Sequence, residues 1–299
     1  MREATATTAT VARRGEGRPL RVAVGRLFRR QPVGFVSGII LAALIITAIV
    51  GPWVTPYDPI RVDATVALNS PSAQHWFGTD NLGRDTLSRT LQGARTSLSV
   101  GFLVLLVGVS FGTVVGMVSG YYGGVTDQII QRLVDLSLTI PTLLLAMVIV
   151  SALGASLPNV VAAIATIQTP RLIRLVRSVV LTVKETDYVK AALALGANDV
   201  RILVRHVLPQ TFVPVIVMAT LILPNAIVVE ASLSFLGLGV PEPYPSWGKM
   251  LSDAREFLQQ GTWMALAPAA FIAITVFSGN MLGDMLRDVL DPRLRGVGR

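Results

Sequence analysis

The sequence predicts an all-α protein that crosses a membrane six times. Three observations predict it. Hydrophobic residues make up 52% of the chain, charged residues only 15%, and the mean hydropathy is +0.61, whereas a soluble domain carries about 25% charged residues. Five long segments contain no Asp, Glu, Lys or Arg, and one of them is long enough for two crossings. Basic residues also gather in the segments that fall on one side of those crossings.

The elements follow in chain order. Residues 1–31 form a basic tail, with eight arginines between Arg2 and Arg30 and few apolar residues, so a disordered tail near anionic lipid is expected. No small-residue cleavage site follows it, and the next apolar segment exceeds twenty residues, so a retained span is expected rather than a cleaved signal. The apolar stretch Gln31–Tyr57 supplies a first span at about 33–54, and Thr96–Thr126 a second at about 97–119. Leu136–Pro170 runs for 35 residues, where one crossing takes about 20. Gly154, Pro158 and Asn159 interrupt it as a tight turn would. It therefore reads as a hairpin of two spans, at about 136–153 and 158–172. Val207–Val229 and Phe257–Gly283 give the fifth and sixth spans, at about 210–231 and 262–284, and 287–299 is a short tail.

Orientation follows from the basic residues, which cytoplasmic loops retain. With the N-terminus inside, the inner segments hold 20 of them: eight before Gly34, Arg132, seven from Arg171 to Arg205 and four from Arg287 to Arg299. The outer segments hold six, namely Arg61, Arg84, Arg89, Arg95, Lys249 and Arg255. Both termini are thus expected in the cytoplasm. The net charge of +8 reads as this topology signal and not as nucleic-acid binding, since no platform of interleaved aromatic and basic residues exists. The chain has no cysteine, which removes disulfides and thiolate metal sites, and no metal site is expected.

Within the spans, Gly108, Gly112, Gly116 and Gly120 recur every four residues and so share one helix face that another backbone can approach closely. Packing inside one subunit and a seam at a subunit interface or transport path are both open for that face. Pro141, Pro214, Pro224 and Pro268 lie in or near spans, where proline bends a helix. Glu230 closes the fifth span, and a carboxylate there has two readings: an anchor to a loop partner, or a contact on the substrate path. Asp284, at the inner end of the sixth span, reads as an interfacial cap.

The segment 171–209 is too polar to insert yet shows helical patterning. A first short helix follows Thr186 or Asp187 and runs through Tyr188, Lys190, Ala191, Ala192 and Leu195 to a stop at Gly196. A second follows Asn198 or Asp199. It places Val200, Leu203, Val204 and Val207 on one face and Arg201 and Arg205 away from it, until Pro209 ends it. The small residues Ala191, Ala192 and Ala194 suit a helix that inserts into a groove on another protein.

The run Lys190-Ala191-Ala192-Leu193-Ala194-Leu195-Gly196, followed after nine residues by His206-Val207-Leu208-Pro209, closely resembles the EAA loop of ABC importer permeases. Lys190 stands where that family usually carries glutamate. Phe77-Gly78-Thr79-Asp80, Leu82-Gly83-Arg84-Asp85, Ser88-Arg89 and Gly93-Ala94-Arg95 narrow the resemblance, as do Tyr121-Tyr122-Gly123-Gly124 with Asp127, Arg132, Asp135 and Pro141. So do the run from Glu230 to Gly239, Pro245-Ser246-Trp247-Gly248 and Asp291-Pro292-Arg293-Leu294. Together they resemble the C-subunit permeases of peptide and nickel importers, the DppC, OppC and NikC group, over about Pro32 to Leu294.

The resemblance implies the type I importer permease fold, with a cytoplasmic coupling helix between spans four and five. It implies that Tyr188, Lys190, Ala191, Ala192, Leu195, Gly196, Ala197, Arg205, His206 and Pro209 belong to the element that docks an ATPase. Implied partners are a homologous second permease, two ABC ATPase subunits, an extracytoplasmic solute-binding protein and the lipid of a bacterial inner membrane. ATP and Mg would be bound by the ATPases, for this chain has no GxxxxGK[ST] phosphate loop. No catalytic residue and no cofactor of its own are expected. Dipeptides or oligopeptides are the expected cargo, with nickel chelates or haem as alternatives. A secondary transporter would need more intramembrane acids than Glu230 and Asp284, and a scaffold would need no docking loop. The loop Ser234–Gln260, with Gly237, Gly239, Pro241, Pro243 and Pro245, is expected to form an irregular cap near the substrate entrance.

Overall fold

The computed structural model describes residues 31–290. The basic tail before them, the C-terminal tail from residue 291 and the Asp291-Pro292-Arg293-Leu294 motif lie outside the described residues. Within these bounds the architecture is helical: α1 (Pro32–Val54), α2 (Thr86–Tyr122), α3 (Gly124–Thr139), α4 (Thr142–Leu153), α5 (Leu157–Val183), α6 (Asp187–Ala194), α7 (Asp199–Ile202), α8 (Leu208–Phe235), α9 (Trp247–Ala254) and α10 (Trp263–Leu290).

Helix α1 shows why these sequences pack as they do. Gly34, Ser37, Leu41, Leu44, Ala48 and Gly51 recur at three- and four-residue steps and are buried, while Val36, Ile39, Ile46, Ile49 and Trp53 are exposed. A helix that is apolar all round and buries only one stripe is solvated by lipid on the other. By length and composition, α1, α2, the run Asp199–Phe235 and α10 can each cross a bilayer, and α3 with α4 can make a fifth crossing. Helix α5 has the length, at 27 residues, but carries Asn159, Gln168, Arg171, Arg174 and Arg177. Fourteen of its residues are buried, so neighbouring helices enclose much of it.

Several bounds differ from the expected spans. Helix α2 begins at Thr86, eleven residues before the expected 97, and its 37 residues extend about 56 Å at 1.5 Å each. The hydrocarbon needs only about 30 Å, and the first turns, from Thr86 to Gly101, are largely buried in protein. The expected span 136–153 is broken: α3 and α4 meet at 98°. Pro141 disfavours the helical conformation in the residue before it, and Ile140 is accordingly extended, at φ −82° and ψ 133°. The expected span 158–172 continues as α5 to Val183, because Arg174 pairs with Asp135 and Arg177 with Asp127 on α3. The turn between α4 and α5 lies where the hairpin breakers stand. Gly154 has φ +85°, and the Asn159 amide donates to the carbonyls of Leu153 and Gly154 at 2.9 Å each.

The glycine row of α2 faces α5 of the same chain. A Cβ on Gly112 would lie 3.0 Å from Leu172, one on Gly116 2.8 Å from the Ile173 carbonyl oxygen, and one on Gly120 2.8 Å from Val180 Cβ. Gly108 is looser, at 3.5 Å from Thr169. Backbone cannot yield as a flexible side-chain tip can, so Gly116→Leu is expected to force α2 and α5 apart. Overpacking of this kind costs about 1–3 kcal/mol. The expected result is a lower melting temperature of the purified subunit and less subunit in the membrane, with Gly108→Ala close to wild type.

Candidate functional site

The C-terminal ends of α2 and α5 and the N-terminal end of α8 support the short helix α6. Its sequence is apolar in part, yet only Val189 is buried, in a cluster with Val183, Ile202 and Val207. Tyr188 is 44% exposed, Leu193 47% and Leu195 88%, with Val200 and Val204 also exposed nearby. An apolar patch of this size on a polar segment marks a contact surface. Ala191 is exposed, and Ala192 and Ala197 are half-buried. The stop at Gly196 is a Schellman turn. Its amide donates to Leu193 O at 2.9 Å and the Ala197 amide to Ala192 O at 3.0 Å, with Gly196 at φ +81°. A side chain there would be strained by the backbone alone, for no atom lies within 4 Å of the Cβ position.

The second short helix departs from the sequence expectation. Asn198 caps α7 by accepting from Arg201 N at 2.9 Å, but Pro209 does not end it. Leu203–Val207 form a π turn that runs on into α8, with Pro209 in its first turn. A proline is tolerated there, where no intrahelical amide bond is required. The π turn also shifts the inward face. Ile202 and Val207, five residues apart, are buried, whereas Val200 and Val204, expected inside, are exposed. Arg205 is exposed, and His206 is half-buried beside Tyr188, with ring centroids 6.2 Å apart.

Polar contacts tie this cluster to the helices behind it. Tyr121 OH donates to Asp199 Oδ1 at 2.9 Å, and Lys184 Nζ donates to Gly120 O at 3.2 Å. Asp127 accepts two bonds from the Arg177 guanidinium at 2.6 Å each and one from Ser119 Oγ at 2.6 Å. A paired fork of this kind fixes orientation as well as distance. Lys190 meets Glu185 at 3.1 Å with both side chains more than half exposed, so that pair adds little stability. Val189 thus joins α6 to α5 and α8, and the Asp199–Tyr121 bond joins the following α7 to α2. The sequence reading placed Val189 in the first short helix and Arg177 and Lys184 within 171–209, but gave none of the three a role in the site. Their partners lie about 50 or more positions away or depend on the π turn, and helical periodicity carries no signal for either.

At the opposite end the Gly-Thr-Asp and Gly-Arg-Asp runs fold into one buried cluster. Arg84 Nε lies 2.6 Å from Asp80 Oδ2, Arg89 Nε 3.4 Å from the same oxygen, and both guanidinium groups reach Asp253 of α9 at 3.7 Å. Asp80 Oδ1 also accepts from the amides of Leu82 and Arg84 at 2.9 Å. Asp85 caps α2 through Ser88 N at 2.8 Å and holds His75 Nδ1 at 2.9 Å. In the same loop the Thr65 hydroxyl and amide hold the Asp63 carboxyl below its usual range. Trp247 closes the loop onto α2: its indole N–H donates to Thr90 O at 3.0 Å and its amide to Ser97 Oγ at 3.2 Å. Residues 236–246 are irregular before α9. Glu230 is fully buried beside this lock and accepts from Ser234 Oγ at 2.7 Å and Ser97 Oγ at 3.2 Å. That geometry is an anchor between α8 and α2. Asp284 is exposed near the C-terminal end of α10.

Comparison with known proteins places this architecture. Residues 112–296 match the family described as binding-protein-dependent transport system inner membrane component, and residues 20–71 match the N-terminal membrane domain of oligopeptide transport permease C. The dipeptide transport system permease protein DppC of Alkalihalophilus pseudofirmus is 43% identical over 267 residues, 89% of this chain and 88% of that protein. The glutathione transport system permease protein GsiD of Escherichia coli O157:H7 is 42% identical over 272 residues, 91% of this chain and 90% of that protein. The inward-facing structure of the MetNI methionine ABC transporter matches with a TM-score of 0.56 at 17% identity, covering 69% of this chain and 97% of that one; at that identity it bears on the fold alone. The helical bundle, the short surface helix between α5 and α8 and these matches agree: the chain belongs to the family of binding-protein-dependent transport system inner membrane components, as a permease of ABC importers.

Proposed function

We propose that this permease carries small peptides and is driven by separate ATPases that dock on α6. Relatives named for dipeptide and glutathione transport support the cargo class. The observation that carries the docking reading is α6 itself, a helix whose one buried side chain is Val189, with an apolar exposed face and a Schellman stop. In this reading Tyr188, Lys190, Ala191, Ala192, Leu195, Gly196, Ala197, Arg205, His206 and Pro209 form or border the contact. The six crossings are α1, α2, the bent pair α3–α4, α5, α8 and α10, with α6 and both termini in the cytoplasm, as the 20-to-six division of basic residues favours. A second, homologous permease completes the pore. A solute-binding protein delivers peptide at the outer face, where the Asp80–Arg84–Asp253 cluster ties α9 to the loop before α2. ATP and Mg are bound by the partner ATPases, and this chain contributes no catalytic group.

The mechanism is alternating access between two states of differing affinity for nucleotide and cargo. ATP-driven closure of the ATPases draws the two α6 elements together, and the contacts to α2, α5 and α8 convert that movement into opening toward the outside. The test is uptake by proteoliposomes containing the complex purified through this chain. With ATP inside and loaded binding protein outside, a labelled dipeptide should accumulate, and without ATP it should not. Accumulation without ATP under an ion gradient would establish a secondary transporter instead.

A further inference from the structure

Near the inner end of α10 an acid and a base share one groove, and neither has a partner among the described residues. Asp284 and Arg287 are three residues apart on one helix, which sets their Cβ atoms about 5–6 Å from each other. Both line a groove of about 390 Å³ whose other walls include Leu175 of α5 and Val213, Pro214, Val217 and Leu221 of α8. The volume lies within the range of about 300–1,000 Å³ common to small-molecule sites. Both side chains are exposed. Asp288, one residue beyond, is by contrast taken by Gln31 Nε2 at 2.8 Å. Among the described residues four other acid–base pairs close at 2.6 Å or less, whereas Asp284 and Arg287 form no ion pair with each other. Their charges remain free to meet a ligand.

We infer that this groove is an inner-mouth subsite for a small zwitterionic peptide, with Arg287 facing its terminal carboxylate and Asp284 its terminal ammonium. The inference rests on the peptide reading above and names a place where such a cargo is held. A free ammonium and a free carboxylate are the two groups that short peptides of any sequence share. The groove offers one charge for each and leaves Val213, Pro214, Val217 and Leu221 as an apolar wall for variable side chains. The dimensions agree. Two residues span at most about 7 Å of extended backbone, close to the spacing of the two side chains, and an arginine fork takes a carboxylate through two parallel hydrogen bonds.

The test uses the complete nucleotide-free complex in nanodiscs of phosphatidylglycerol, without binding protein, and measures retention of radiolabelled dialanine. The wild-type complex should retain it saturably, and dialanine acetylated at its N-terminus and amidated at its C-terminus should not compete. Asp284→Asn and Arg287→Gln should each weaken retention by about tenfold or more, the usual scale for losing a charged hydrogen bond. The exchange Asp284→Arg with Arg287→Asp should recover much of it, because a zwitterion can bind end for end; a role in folding alone would not be rescued in this way. Absence of saturable retention, equal retention by the single variants or competition by the blocked peptide would overturn the subsite. So would native mass spectrometry showing the groove filled by phosphatidylethanolamine, whose headgroup is also zwitterionic, with no dialanine bound. ATP-driven uptake of dialanine by the same wild-type complex separates the two readings. Uptake that the variants leave unchanged removes only the subsite, and absence of uptake removes the peptide reading.

Discussion

Ala192→Trp is expected to reduce ATP-driven uptake to below about a tenth of wild type while the subunit still inserts and still pairs with its homologous permease. Ala192 is half-buried, three residues from the buried Val189, while Ala191, Leu193, Ala194 and Leu195 are exposed. An indole there overfills the boundary between α6 and whatever docks on it, so membrane insertion is scored beside uptake to separate docking from folding. Overfilling a tight contact costs about 1–3 kcal/mol, which is up to about a hundredfold in a docking equilibrium. Gly196→Val acts from the other side, by opposing the left-handed stop at φ +81° and so misdirecting Leu195. The measurement is ATPase retained on purification and hydrolysis stimulated by loaded binding protein. Both should fall together with uptake. Lys190→Glu should be near neutral, since the Lys190–Glu185 pair is exposed.

Asp80→Ala is expected to destabilise the subunit by about 3–5 kcal/mol, the scale for removing one member of a buried charge pair. One carboxylate holds two loop amides at 2.9 Å and faces two buried arginines. Its removal leaves Asp253, at 3.7 Å, as the one carboxylate near Arg84 and Arg89 among the described residues, with Arg89 also donating to Pro59 O at 3.2 Å. Asp80→Asn should fall between wild type and alanine, since it keeps an acceptor for the amides and loses the charge. Thermal unfolding in detergent and abundance in the membrane measure both variants. An Asp80→Ala protein as stable as wild type would show that the motif serves contacts outside this chain and does not build its outer face.

Much of this fold was legible in the sequence because lipid imposes a simple rule. Long stretches without charge marked the crossings, and Gly154 with Asn159 marked the hairpin turn. The four-residue glycine spacing marked the close seam, although which helix fills it, α5, required the structure. The failures share a cause. The early start of α2 at Thr86, the run of α5 to Val183 and the π turn at Leu203–Val207 all place polar residues inside regular helices. Charge reads as loop in a sequence. Here the charges are absorbed by partners remote in sequence, Arg89 by Asp253 and Arg177 by Asp127. The break at Ile140–Pro141 was visible as a proline, but a proline alone does not separate a gentle bend from one of 98°. At the candidate site, the helix before Gly196 and its stop followed from local patterning, whereas the inward face of the next helix did not, because one π turn changes the register of every residue beyond it.

Site-specific crosslinking tests the central claim, that α6 is where the ATPase meets this permease. The chain has no cysteine, so Leu195→Cys, at an 88% exposed position on the tip of α6, carries a single photoactivatable label. In the assembled complex the expected product is an adduct with the ATPase subunit, with a yield that changes between the nucleotide-free and ATP-bound states. An adduct with lipid or with the solute-binding protein, and none with the ATPase in either state, would contradict the account.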